Sequence, residues 1–435
     1  MNPLPRPQIE SSALARRYAQ VRAQSLALAE PLSEADAQVQ SVPDVSPTKW
    51  HLAHVTWFFE TFVLERHEAG FKPFHPRFRV LFNSYYQQVG EQHPRPLRGL
   101  LSRPSLAEVK AYRAQVDRRM IALLAASHDG AIDALVELGL QHEQQHQELI
   151  LTDIKHVLSC NPLAPVYRAA WPLAPVAPLP LDWVAHEGGL VEIGHDGRGF
   201  AFDNEGPRHT QHLRPYALGN RLVTHGEWAE FIADGGYAEP RWWLSAGWDW
   251  VRQHGIEAPL YWERDGQQAW SSFTLHGLVP IDPHTPIAHV SYFEADAFAR
   301  WASASRSAWR GARLPTEAEW EHAAGAQGAA AIAAGNFVES QALHPMPVAR
   351  AGHGPRQLFG DVWEWTSSSY QPYPGFRAWD GAVGEYNGKF MVNQYVLRGG
   401  SCATPRGHIR ASYRNFFPTD ARWQFSGVRL ARDLD

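Results

Sequence analysis

The densest group of chemistry-bearing residues is HEQQHQE at 142–148. His142 and His146 are four apart, so on a helix both imidazoles stand on one face. The same stripe carries Leu135, Gly139, Leu149 and Asp153, which turns it toward a helical core. Two inward imidazoles at this spacing are half of a metal site. Glu148 would complete a two-histidine, one-carboxylate set, but side chains at i and i+2 do not face each other. It is expected to support the site from outside. The third ligand must then come from another helix. SPTKWHLAHVTWFFETF at 46–62 offers His54 on the stripe 50/54/57/61, and His51 on the adjacent stripe as the alternative. His54, midway between Trp50 and Trp57, is the better placed. Three neutral imidazoles without a thiolate suit zinc, iron, copper or nickel. They leave two or three coordination positions open, as catalysis requires.

Four helices are expected to position these residues. Segment 11–29 has Leu14, Tyr18, Val21 and Leu28 at helical spacing. The second helix starts at Ser46-Pro47, read as an N-cap and a first-turn proline, and runs to about residue 66. The third opens on the capping box Ser105–Glu108, and the fourth runs from Asp129-Gly130 to about Leu158. Together they predict a four-helix bundle over 1–161. The 67–104 connection, with FNSYYQQ (82–88) and HPRPLRGLLSR (93–103), is too long for a passive loop. Residues 162–182 are Pro/Ala-rich and read as a linker. From 183 to 435, Gly, Pro and Trp become frequent, strands look short, and one clear helix begins at the capping box Thr316–Glu319. The low-complexity stretch 323–335 reads as plain surface.

Composition narrows the function classes. With 40 basic and 45 acidic residues, net charge is −5 and no Lys/Arg run stands out, which argues against nucleic-acid partners. No apolar stretch reaches the length of a membrane span, and MNPLPRPQIESS has no apolar leader region. The two cysteines, Cys160 and Cys402, exclude a disulfide scaffold. A cytoplasmic protein with no membrane partner is expected.

SPTKWHLAHVTWFFETF, FNSYY and HEQQHQE together resemble the ergothioneine-pathway sulfoxide synthases, the EgtB-type hercynine oxygenases. In the second half, RLPTEAEWEHAA, GDVWEWTSS, VLRGGSC and RNFFPTDARWQFSGVRLAR resemble the formylglycine-generating-enzyme-like domain those proteins carry. The resemblance implies an α + (α+β) chain: a DinB-like bundle, then a C-type-lectin-related domain with little regular secondary structure. It implies Fe(II) held by His54, His142 and His146, with O2 as co-substrate. The family reaction joins a thiol sulfur to the imidazole C2 of hercynine, a trimethylated histidine betaine, and yields a sulfoxide. Such a reaction needs an acid, for which Tyr85 and Tyr86 are the candidates. It needs a cation for the thiol donor's carboxylate, for which Arg95 and Arg98 are the candidates. The resemblance assigns hercynine to Gln145 and Asn415, with Phe416 and Phe417 as aromatic walls for its quaternary ammonium. The FNSYY tandem resembles the subgroup that uses free cysteine, so cysteine is expected over γ-glutamylcysteine. The other readings are selenium in place of sulfur, a zinc-dependent thiol transferase on the same bundle, and a non-catalytic binding module. The parent formylglycine chemistry uses paired thiolates. With Cys402 alone in this half, that chemistry is not expected, and Cys402 reads as a small buried residue.

Overall fold

The first helix, α1 (Ser11–Ala29), buries Leu14, Tyr18, Val21 and Leu28 along one stripe. A short helix, α2 (Glu34–Gln38), follows, opened by a Ser33/Asp36 capping box. Next comes α3 (Thr48–Phe58), which widens into a π-helical turn at Phe59–Leu64 and closes with α4 (Glu65–His67). A single turn α5 (Phe78–Leu81) lies in the long connection. The last two helices of the bundle are α6 (Leu106–Ala126) and α7 (Gly130–Ser159). This computed structural model describes residues 11–126, 129–169, 176, 178–264, 269–348 and 354–434.

Two local expectations change. Pro47, not Ser46, is the N-cap residue of α3, and no side chain caps it. Ser46 is used otherwise: its N–H donates to Asp153 at 2.8 Å and its hydroxyl accepts from Arg98 at 2.9 Å. The second expected helix is also not α-helical throughout. A π turn shifts the register of every later side chain, and here it lets Phe59 lie against α7. A Cβ at Gly139 would sit 2.5 Å from Phe59 Cε1 and 2.9 Å from Phe58 Cε1, so only glycine admits this approach.

The chain divides into two compact units that do not follow the contiguous boundaries at 161 and 183. The first comprises Met1–Tyr167 with Gly197–Asp203 and Phe376–Lys389; the second comprises Arg168–Asp196, Asn204–Gly375 and Phe390–Asp435. The reason is a set of long-range hydrogen bonds within the first unit. Glu385 accepts from the N–H groups of Gln87 and Gln88 at 2.8 and 3.0 Å, and Asn387 donates to Asp203 at 2.6 Å. In the expected linker, 170–175 and 177 lie outside the described residues. Before them, Tyr167 is buried in the first unit, its hydroxyl on the Leu28 carbonyl at 2.6 Å.

The second unit is strand-poor and irregular, as its composition suggests. A four-stranded sheet has the order Asn415–Pro418, Gln394–Arg398, Trp363–Ser369, Ser426–Gly427. The helix after the Thr316 box runs Glu317–Gly325, and its Trp320 donates to Glu364 of the central strand at 2.8 Å. Glu364 is fully buried against Arg429, and Arg398 ties Glu317 and Glu321 together, so ion pairs as well as indoles make this core. The low-complexity stretch forms the helix Gly328–Ala334. Cys402 is fully buried, and Cys160 is exposed at the end of α7.

Candidate metal centre

Helix α7 is fixed about its axis by residues that alternate with the histidines. Glu143 is fully buried and accepts from Arg22 at 2.9 Å, from the Ser25 hydroxyl at 2.6 Å, and from Arg113. Burial opposes its charge, yet the Arg113 and Arg22 guanidiniums hold its pKa down at about 2. One turn on, Gln147 donates to the Val21 carbonyl at 2.8 Å and to Ser25 at 3.0 Å. Positions 143 and 147 therefore face α1 and α6, which turns 142 and 146 toward α3.

There His54, His142 and His146 converge, each offering a ring nitrogen, with the three atoms within 4.8 Å of one another. The Nε2 atoms of His54 and His142 are 3.2 Å apart. Two nitrogens about 2.1 Å from one ion are about 3.0–3.4 Å apart for ligand angles of 90–109°, so this pair already has ligand spacing. His54 Nδ1 donates to the Phe82 carbonyl at 2.6 Å, leaving the Nε2 lone pair for the centre. His142 Nδ1 is buried without a partner among the described residues. Burial keeps all three neutral: it pushes His142 down to about 4 and His54 and His146 well below the ordinary histidine value, with the neighbouring imidazoles adding to the effect. Neutral imidazoles with free lone pairs fit a divalent transition metal.

His51, the alternative ligand, is not in this cluster. It meets His146, Nδ1 to Nδ1 at 2.8 Å, and Asp153 through Nε2 at 2.9 Å. Glu148 is buried and outside the three-histidine group.

The long connection lies beside the histidines. Trp50 stacks on His54 at 4.6 Å, and the Arg98 guanidinium lies 3.4 Å from the centre of the Trp50 ring. Arg98 is buried and donates to the Ser46 and Ser84 hydroxyls at 2.9 and 3.0 Å. Burial lowers its pKa, yet it stays protonated at neutral pH. Among the described residues neither Arg98 nor Arg95 has a carboxylate partner, although Asp153 lies within electrostatic reach of Arg98. Arg95 donates to the Tyr85 hydroxyl at 2.9 Å, and its Nε is buried without a partner. Tyr85 is half-buried among polar groups; Lys389 donates to its carbonyl, and the Tyr386 ring meets it edge-on at 5.7 Å. Tyr86 is buried against Trp57 and Phe62, at 5.7 and 5.1 Å. Gln145 is half-buried on α7, one turn from His142.

In the second unit, Asn415 accepts the Phe416 N–H on its own side chain at 2.9 Å. Phe416 and Phe417 do not form one wall: they are successive residues of a regularly paired strand and point to opposite faces. Phe416 stacks on Tyr370 at 4.0 Å, while Phe417 meets Trp423 at 5.8 Å. Tyr370 and Tyr373, the nearest tyrosines after GDVWEWT, are engaged in this unit, Tyr370 with Asn204 and Tyr373 with Arg398. Sequence reasoning missed Glu143, although it sits inside the histidine motif, and it missed Tyr386 and Lys389. About 300 positions separate those two from Tyr85, and no local pattern links them.

A three-histidine helical bundle joined to an irregular, ion-pair-rich domain defines a two-part, metal-competent chain. Comparison with known proteins agrees. The DinB superfamily profile matches residues 17–150, and the sulfatase-modifying factor enzyme 1-like domain matches 177–434. The chain is 34% identical to the hercynine oxygenase of Mycolicibacterium thermoresistibile, over 97% of this chain and 95% of that protein. It is 33% identical to the hercynine oxygenase of Mycobacterium tuberculosis, over 97% and 99%. A 26% identity to ergothioneine biosynthesis protein 1 of Schizosaccharomyces pombe covers 54% of this chain and 28% of that one. The chain belongs to the hercynine oxygenase family. Among the described residues no helix is long and apolar enough to cross a membrane.

Proposed function

We propose that this protein is an Fe(II)- and O2-dependent sulfoxide synthase of ergothioneine biosynthesis. It joins the sulfur of a thiol donor, free cysteine, to C2 of the hercynine imidazole. The stoichiometry balances: thiol, hercynine and O2 give the sulfoxide and one water. The C2–H and S–H bonds break and C–S and S–O bonds form, so four electrons pass to O2. The observation that carries the reading is the converging trio His54, His142 and His146 in a chain of this family.

In this reading the three imidazoles hold the ion, which supplies a meeting point for O2, thiol and imidazole and lowers the thiol pKa. The residues of the chain do the rest. Arg98, buried and without an acidic partner, receives the donor's carboxylate, and Arg95 holds the Tyr85 hydroxyl. Bidentate guanidinium recognition is worth most where water is excluded. Tyr85 supplies the proton for reduced oxygen, because its hydroxyl is in polar company and half-exposed. Tyr86 forms an apolar wall. Gln145 supplies an amide contact to hercynine. Zinc-dependent thiol transfer on the same bundle is the competing chemistry. O2 uptake decides between them. The Fe(II)-loaded protein should consume O2 only with thiol and hercynine together, and His54→Ala, His142→Ala and His146→Ala should each abolish uptake. Turnover of the zinc form without O2 would reject the reading.

A further inference from the structure

The second nitrogens of His54 and His146 are held in different ways. His54 uses a backbone carbonyl, which no substitution at Phe82 removes. His146 uses a side chain, His51, which in turn meets Asp153. We infer that Asp153 and His51 form a positioning pair that fixes His146 with its proton on Nδ1 and its lone pair on Nε2.

The hydrogen-bond directions follow from what each group can do. Asp153 Oδ2 already accepts the Ser46 N–H at 2.8 Å, so it acts as a carboxylate acceptor. His51 Nε2, 2.9 Å from the same oxygen, must donate to it. One ring proton of His51 is thereby committed to Asp153, and its Nδ1 faces His146 as the acceptor of the inferred pair. That atom is 2.8 Å from His146 Nδ1. Two bare nitrogens at that distance would repel, so the proton between them belongs to His146. Its Nε2 is left as a lone pair. His51 and Asp153 are buried and His146 is half-buried, so little water competes for these bonds. His51 and His54 share α3, and His146 and Asp153 lie two turns apart on α7, so the chain of hydrogen bonds also locks the two helices in register at the site. The purpose of the pair rests on the metal-centre reading; the tautomer itself does not.

The test uses the full-length chain. In metal-free protein labelled with 15N-histidine, long-range proton–nitrogen NMR should show His146 as the Nδ1–H tautomer, with the resonance assigned by its loss in His146→Gln. Co(II) is the metal probe. His51→Ala and Asp153→Leu should each weaken Co(II) binding by roughly 10- to 100-fold. The double variant should be no weaker than either single one, because the two residues act in series. His51→Asn keeps an acceptor beside His146 Nδ1, and Asp153→Asn keeps an oxygen for His51 and Ser46. Both should stay within about threefold of the parent protein. An Nε2–H tautomer in the parent protein, additive losses in the double variant, or parent-like affinity in His51→Ala would each overturn the inference. A parent protein that binds no Co(II) but shows Nδ1–H on His146 would reject the metal reading while upholding the pair.

Discussion

Glu143→Gln is the sharpest test of how the bundle aims its histidines. The change is nearly isosteric and removes one negative charge from a site that water does not reach. Arg22 keeps Asp117 at 2.6 Å and Thr56 at 3.0 Å. Among the described residues Arg113 keeps only the Arg22 carbonyl, and its Nε and Nη1 already lack partners. Breaking a buried pair by removing one member costs about 3–5 kcal/mol, because the surviving charge stays buried. A chain of two compact units need not unfold in one step, so a global midpoint is a poor measure. Native-state hydrogen exchange over 140–150 reads the local opening directly. The expected loss corresponds to roughly 100- to 4,000-fold faster exchange there. Removing the acid and one guanidinium together, in Glu143→Leu/Arg113→Leu, should restore most of the protection. A cost below about 1 kcal/mol for Glu143→Gln would show that apolar packing, not this ion cluster, sets the rotation of α7.

Gly139→Ala drives a methyl into the Phe59 ring and should cost about 1–3 kcal/mol, read by the same exchange measurement; parent-like protection would mean the ring moves aside freely. Tyr85→Phe should retain bound iron and both substrates yet lower sulfoxide formation by roughly 10²–10⁴-fold, whereas Tyr86→Phe should lower it less than about tenfold; the reverse order would move the proton donor to Tyr86. Arg98→Lys should raise the KM for the thiol donor at least about tenfold and leave that for hercynine within about twofold; equal effects on both would make Arg98 a scaffold residue. Free cysteine should exceed γ-glutamylcysteine in kcat/KM, and a preference for the dipeptide of tenfold or more, about 1.4 kcal/mol, would overturn the choice of donor.

The helices were legible because their signals are local. The stripe of Leu14, Tyr18, Val21 and Leu28 and the Ser105 and Thr316 capping boxes act within one or two turns. On the inward stripe of α7, His142 and His146 converge with His54, and Asp153 meets His51. Where a long-range partner decides, the local signal fails. Ser46 reads as an N-cap but is drawn to Arg98 and Asp153, 52 and 107 positions away. The π turn after Phe58 answers to the missing side chain at Gly139, not to its own sequence. His51 and His54 lie on adjacent stripes of one helix, with His54 the better placed. Asp153 on the facing helix separates them further by taking His51 Nε2 in a hydrogen bond. Phe416 and Phe417 read as a pair until strand alternation parts them.

The central claim is that this chain forms a carbon–sulfur bond and a sulfoxide with O2. The direct measurement is mass spectrometry of the products when the Fe(II)-loaded protein turns over hercynine and cysteine under 18O2. The account predicts one new species: the cysteine sulfur on the imidazole C2, carrying a single 18O. Cysteine sulfinate as the sole product, or a sulfoxide that carries no 18O, would contradict it.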